Sequence, residues 1–120
     1  MAEFREITKT QEFSEILNQS CQRKIILFKH STTCPISGRA WGEVQNYIRE
    51  SSDEAVVVLI KVIESRPVSN LVTETLGVQH QSPQVLILEN SQVLWHVSHQ
   101  QITQDRIKKA LAGETQPFIL

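Results

Sequence analysis

Two short apolar runs dominate the pattern of the chain: Ile25-Ile26-Leu27-Phe28 and Val56-Val57-Val58-Leu59-Ile60. Neither alternates with polar residues, which suits strands covered on both faces of a sheet. Strands are therefore predicted over 24–29 and 56–62. Between them Ile36, Ala40, Trp41, Val44, Tyr47 and Ile48 fall at steps of 4, 1, 3, 3 and 1, one broad helical stripe. This helix is expected to end near Ser51-Ser52-Asp53. A strand, a helix and a strand in that order imply a right-handed parallel crossover.

The flanks extend the same alternation. Residues 4–7 read as a short strand. Thr8 with Gln11 fits a capping box, with Thr10 a competing cap, and Phe13, Ile16 and Leu17 place a helix up to about Gln19. After the second buried strand, Arg66-Pro67 interrupts the pattern. Val68, Leu71, Val72 and Leu76 give a short helix that Gly77 is placed to end in the left-handed conformation. A loop through His80 leads to Pro83. Two further strands, 84–89 and 92–98, flank Asn90-Ser91, a weaker hairpin signal than Asn-Gly. Val85/Ile87 and Leu86/Leu88 are expected on opposite sheet faces. Thr103 is placed to cap a last helix with Ile107, Ala110 and Leu111 inward, Gly113 ends it, and 114–120 reads as a tail. The prediction is an α/β fold, a central mixed sheet of about five strands flanked by about four helices, in one domain over 1–120.

Composition narrows the function classes. The net charge is −1 with both signs interspersed, so no basic stripe favours nucleic acid. No apolar run approaches the ~18–20 residues of a membrane span, and the N-terminus lacks a signal-peptide pattern. A cytoplasmic protein is expected. Its two cysteines, far apart in sequence, suit free thiols better than a structural disulfide.

One of them lies where chemistry is expected. In Thr33-Cys34-Pro35-Ile36-Ser37 the cysteine falls between a strand end and a helix start. Pro35 suits the first helical position, where its missing N–H costs nothing. Cys34 would then face the free N–H groups and positive dipole end of the helix, which favour a thiolate. Three residues on, where a dithiol motif has its second cysteine, stands Ser37. It cannot close a disulfide, although it could donate a hydrogen bond to the thiolate. Exchange with a small-thiol adduct needs only one enzyme sulfur. Cys21 precedes the strand that leads to Cys34, so five or six residues at about 3.3 Å each separate the two. A disulfide needs Cα atoms within roughly 7 Å. Cys21 is read as structural, and a zinc site is not expected.

The order β-α-β-α-β-α-β-β-α, with a cysteine opening the second helix and a proline opening the fourth strand, resembles the thioredoxin fold over almost the whole chain. Thr32-Thr33-Cys34-Pro35 is similar to the glutaredoxin approach to the active site. Thr33-Cys34-Pro35-Ile36-Ser37, His80-Gln81-Ser82-Pro83-Gln84 and Ser98-His99 with Ile102-Thr103 together resemble the monothiol bacilliredoxin family, the YtxJ type. The resemblance implies a thiol–disulfide oxidoreductase acting on bacillithiolated client proteins. Cys34 would take bacillithiol, a cysteine-glucosamine-malate thiol, as a mixed disulfide, and a second bacillithiol would free it. Bacillithiol is thus a co-substrate, no cofactor is held tightly, and the chain is expected to be a monomer. Gln100 departs from family members that carry an aromatic after the histidine.

The resemblance also implies a cis Pro83 lying against Cys34, with the backbone of Ser82 turned outward to pair with a substrate. Thr33, Pro35, Ser37, Ser82, Pro83, His80 and His99 make up the supporting site. Both histidines are placed at the pole of Cys34, where an imidazolium would favour the thiolate and an uncharged ring could carry its proton; their alternative is an exposed surface position. His30 and His96 have no assigned role. Lys29 and Arg39 could attract the malate carboxylates, with solvated surface charge as the alternative. Trp41 and Trp95 are assigned to packing. Two other functions compete: a monothiol-glutaredoxin-like iron–sulfur carrier, which the bulk of Pro35-Ile36 disfavours, and a redox-inert adaptor, which predicts slow alkylation of Cys34.

Overall fold

The computed structural model describes residues 2–51 and 55–113. Ser52, Asp53 and the tail 114–120 lie outside these. The elements are β1 (Glu3–Glu6), α1 (Thr10–Gln19), β2 (Ile25–His30), α2 (Pro35–Glu50), β3 (Val56–Lys61), α3 (Arg66–Leu76), β4 (Gln84–Glu89), β5 (Gln92–Ser98), a 3₁₀ turn η1 (His99–Gln101) and α4 (Gln104–Leu111). The strands form one mixed sheet in the order β1-β3-β2-β4-β5. β1 and β2 both run parallel to β3, and β4 runs antiparallel to both β2 and β5.

The side-chain period of two divides the core. Ile26, Phe28, Val57, Leu59, Val85 and Ile87 face α2 and α4, where Val44, Tyr47, Ile107 and Ala110 meet them. Ile25, Leu27, Val56, Val58, Leu86 and Leu88 face α1 and α3 and pack on Phe13, Ile16, Val68 and Val72. The unalternated runs are therefore strands buried on both sides, as expected of the parallel part of a sheet. Trp95 is buried in the first cluster, and Trp41 lies over Phe28 with ring centroids 5.9 Å apart. Among the described residues no helix is long and apolar enough to cross a membrane.

The element ends show where local chemistry differs from the sequence reading. At the start of α1, Glu12 rather than Gln11 reaches back; its carboxylate accepts from the N–H groups of Thr8 and Lys9, at 3.0 and 3.1 Å. Arg66 and Pro67 do not precede α3 but open it, with Pro67 in the first turn where its missing donor is harmless. Gly77, at φ 71°, ends that helix. Asn90 and Ser91 both take positive φ, 53° and 62°, the type I′ geometry of a two-residue hairpin. Ser91 has a reason to replace glycine. Its N–H donates to Ser20 Oγ and its hydroxyl to the Leu17 carbonyl, tying the hairpin to the end of α1.

Two polar residues break the apolar rule on β2. Every residue of this strand is buried, including Lys29 and His30 at its end. Lys29 is thus not a solvated surface charge, and His30 is the last strand residue rather than one just past it. Lys29 faces α3 and the loop that follows it; its ammonium donates to Thr73 Oγ1 on the helix at 3.0 Å and to His80 Nδ1 on the loop at 3.1 Å. Burial lowers its pKa to about 8, because a cation removed from water is disfavoured.

Two stability measurements test these assignments. Thr103 caps α4 by accepting from the Arg106 N–H at 3.2 Å, so Thr103→Ala is expected to cost about 1 kcal/mol in urea denaturation. For Lys29, the unfolded side chain titrates near ~10.4, so between pH 8 and that value the unfolded chain holds a proton that the folded chain has released. Stability therefore rises with pH across this window, and the full cost of burying the charge is present below it. Relative to Lys29→Met, the wild type should gain about 2 kcal/mol from pH 8 to 10.5. Parallel curves for the two proteins would show that Lys29 is hydrated.

Candidate active site

The topology brings four chain segments to one pole of the sheet. β2 and β3 are parallel and β4 is antiparallel to β2, so the ends of β2 and β3, the start of β4 and the end of β5 all lie together. The chain turns here through residues 31–34, 62–65, 81–83 and 98–99. Cys34 is the N-cap of α2, with extended backbone (φ −102°, ψ 123°), and Pro35 is the first helical residue. The Cys34 carbonyl accepts from the Gly38 N–H at 3.0 Å, starting the helix, and its own N–H donates to the Ser31 carbonyl at 3.3 Å. Cys34 is half-buried. As the N-cap residue, Cys34 precedes the first turn of α2, whose N–H groups have no partner within the helix.

Thr33 is exposed beside it, with its hydroxyl 3.4 Å from that of Ser31. Thr32 donates to the Glu64 carboxylate at 3.0 Å, joining the turn before Cys34 to the turn after β3. The Ser82-Pro83 bond is cis. The Pro83 carbonyl accepts from the His99 N–H at 3.0 Å, which fixes the start of β4 to the end of β5. His99, at φ 57°, opens η1, a turn absent from the sequence reading. Between η1 and α2 lies a small cleft of about 80 Å³ lined by Ile36, Arg39, Glu43, His99 and Gln100.

Two side chains differ from their expected surroundings. Ser37 is fully buried. Its oxygen accepts from the Ser31 N–H at 2.9 Å and lies 2.7 Å from His30 Nδ1, so its hydroxyl is engaged at the end of β2. His80 is exposed, yet its Nδ1 is taken by the Lys29 ammonium. Burial, then the charges of Lys29 and Arg66, lower its pKa, which favours the uncharged ring over an imidazolium beside the thiol.

Sequence reading left out His30, which proves central to this pole. Its ring is buried and stacks on Phe28 at 5.4 Å, with Trp41 at 5.9 Å on α2. Burial lowers its pKa most strongly; the Glu64 charge raises it and Lys61 lowers it. The available signal was alternation. Continuing the face of Ile26 and Phe28 by one step puts His30 under α2, opposite the serine that follows Cys34 by three residues. Cys21, exposed before β2, is separated from Cys34 by the length of that six-residue strand, about 20 Å at the usual rise. Among the described residues no group of three or more His, Cys, Asp or Glu side chains could hold a metal.

Solved structures share this fold. A protein with a thioredoxin fold is 22% identical with a TM-score of 0.78, covering 90% of this chain and 93% of that one. Thioredoxin from Fasciola hepatica is 11% identical with a TM-score of 0.73, covering 92% and 99%. Thioredoxin NaTrxh from Nicotiana alata is 19% identical with a TM-score of 0.73, covering 96% and 95%. Residues 5–107 match the family profile described as monothiol bacilliredoxin BrxC. With its single thiol at the start of α2 and a serine where a partner cysteine would stand, the chain belongs to the monothiol bacilliredoxin family, and its role is in thiol redox chemistry.

Proposed function

We propose that this protein removes bacillithiol from protein mixed disulfides. The observation that carries the proposal is the solitary thiol: Cys34 is half-exposed at a helix N-terminus, Ser37 is buried and bonded elsewhere, and Cys21 is at the other pole. Such a site can accept a thiol but cannot release it by closing a ring. The Cys34 thiolate attacks the bacillithiol sulfur of the client disulfide; the client thiolate leaves and takes a proton. The enzyme is left as a Cys34–bacillithiol mixed disulfide. A second bacillithiol thiolate attacks the bacillithiol sulfur of that adduct, giving bacillithiol disulfide and the free Cys34 thiolate. Arg39, exposed on the cleft beside His99, would attract the malate carboxylates. Exposed Gln100, on the same cleft, would offer the sugar hydroxyls a hydrogen-bonding group. The client proteins and bacillithiol are the partners this chemistry requires, the chain working as a monomer in the cytoplasm.

Intact-protein mass spectrometry tests the proposal. A bacillithiolated model protein is mixed with wild type or Cys34→Ser, and the experiment is repeated with a glutathionylated one. The expected result is one bacillithiol gained by wild type alone as the substrate loses it, with poor transfer from glutathione. Equal transfer from both would remove the specificity for bacillithiol, and transfer from neither would assign the chain to the adaptor class.

A further inference from the structure

We propose that His30 is a positioning residue that withholds the Ser37 hydroxyl proton from Cys34. The inference rests on Cys34 being the reactive thiol. A serine hydroxyl has one proton to donate and two lone pairs. The Ser31 N–H occupies one lone pair of Ser37 Oγ, and His30 Nδ1 is its other neighbour, at 2.7 Å. The direction of that second bond decides where the proton goes. If Nδ1 carries a hydrogen, Ser37 accepts twice and its own proton is free to turn toward the sulfur one helical turn back, since residues three apart share a face. If Nδ1 is bare, Ser37 donates to it and the sulfur receives nothing from this side chain.

The surroundings of the ring favour its uncharged form, in which one of the two nitrogens is bare. His30 is buried against Phe28 and Trp41, where an uncharged imidazole is preferred. The groups presented by α2, Ser37 and Trp41, carry no charge. The charges that reach the ring are Glu64 on the turn after β3 and Lys61 at the end of that strand. The buried Ser37 hydroxyl has one proton to place, and of its two partners the Ser31 N–H is itself a donor, so His30 Nδ1 is the one that can accept it and the ring proton is left on Nε2. The consequence is chemical. A thiolate relieved of a hydroxyl donor keeps more of its basicity, and the nucleophilicity of a thiolate rises with its basicity. Position 37 then holds the turn and stays out of the attack.

The first measurement is the ¹⁵N spectrum of the His30 ring in the wild-type protein at pH 7. A bare Nδ1 with a protonated Nε2 is expected; a protonated Nδ1 overturns the proposal. The second is the pH profile of Cys34 alkylation, which needs no disulfide substrate and so fails independently of bacillithiol transfer. Ser37→Ala should leave its midpoint where it is in wild type, whereas a rise of about one pH unit would mean that Ser37 already donates to the thiolate. His30→Phe keeps an aromatic ring in the stack and removes the acceptor. It should lower the midpoint by about one pH unit, and Ser37→Ala added to it should restore the wild-type value. A His30→Phe effect that persists without the serine hydroxyl would show that the ring acts by another route.

Discussion

The burial of β2 on both faces is the constraint on which the site depends. A strand in the middle of a sheet with helices on either side has no solvent of its own. Four of its residues satisfy this by being apolar. The last two, Lys29 and His30, are polar and equally buried, so each must find partners in the helix layer it faces. Lys29 turns to α3 and the loop before Pro83; His30 turns to α2. These obligations couple the strand to the elements that surround Cys34. Because successive residues point to opposite faces, one dipeptide engages both layers at the pole that carries Cys34.

The turn from β2 into α2 is built from the same need. Buried donors and acceptors must be paired, and residues 31–33 lie between the sheet ladder and the helix ladder. The Ser31 N–H goes to Ser37 Oγ and the Ser31 carbonyl receives the Cys34 N–H. The first turn of α2 is thereby folded back onto the strand end, and Cys34 is held as the cap. Thr32 and Glu64 brace the turn from the side of β3. On the opposite side the Pro83 carbonyl and the His99 N–H close the gap between β4 and β5.

The fold was legible because its signals were periodic. The two unalternated runs, the stripe from Ile36 to Ile48 and the interval from Thr103 to Gly113 all reported burial directly, and the structure places them accordingly except for Ile36, which is exposed on the cleft beside η1. Cys34 and Pro35 were legible for another reason: the residue types themselves fit a helix start. Contacts between side chains distant in sequence were less accessible. That Lys29 meets Thr73 and His80, or that Ser37 meets His30, depends on which helix covers which face. Hydropathy favoured the surface for Lys29, since lysine is almost never fully buried. η1 was invisible because a three-residue 3₁₀ turn has no period to detect.

Position 37 shows how far a motif can be read without its surroundings. From spacing alone, a serine three residues after a reactive cysteine looks like a substitute for the resolving thiol. In the structure it belongs to the end of β2. Its oxygen takes the N–H of Ser31, which would otherwise be buried without an acceptor, and its other neighbour is a histidine nitrogen deep under Trp41. A cysteine sulfur is a weaker hydrogen-bond partner for both, so a dithiol at this turn would have to give up part of what fixes the start of α2. Pairing at the strand end and single-thiol chemistry at the surface are thus served by the same residue. The serine is there for the backbone, and it meets that need beside the ring of His30.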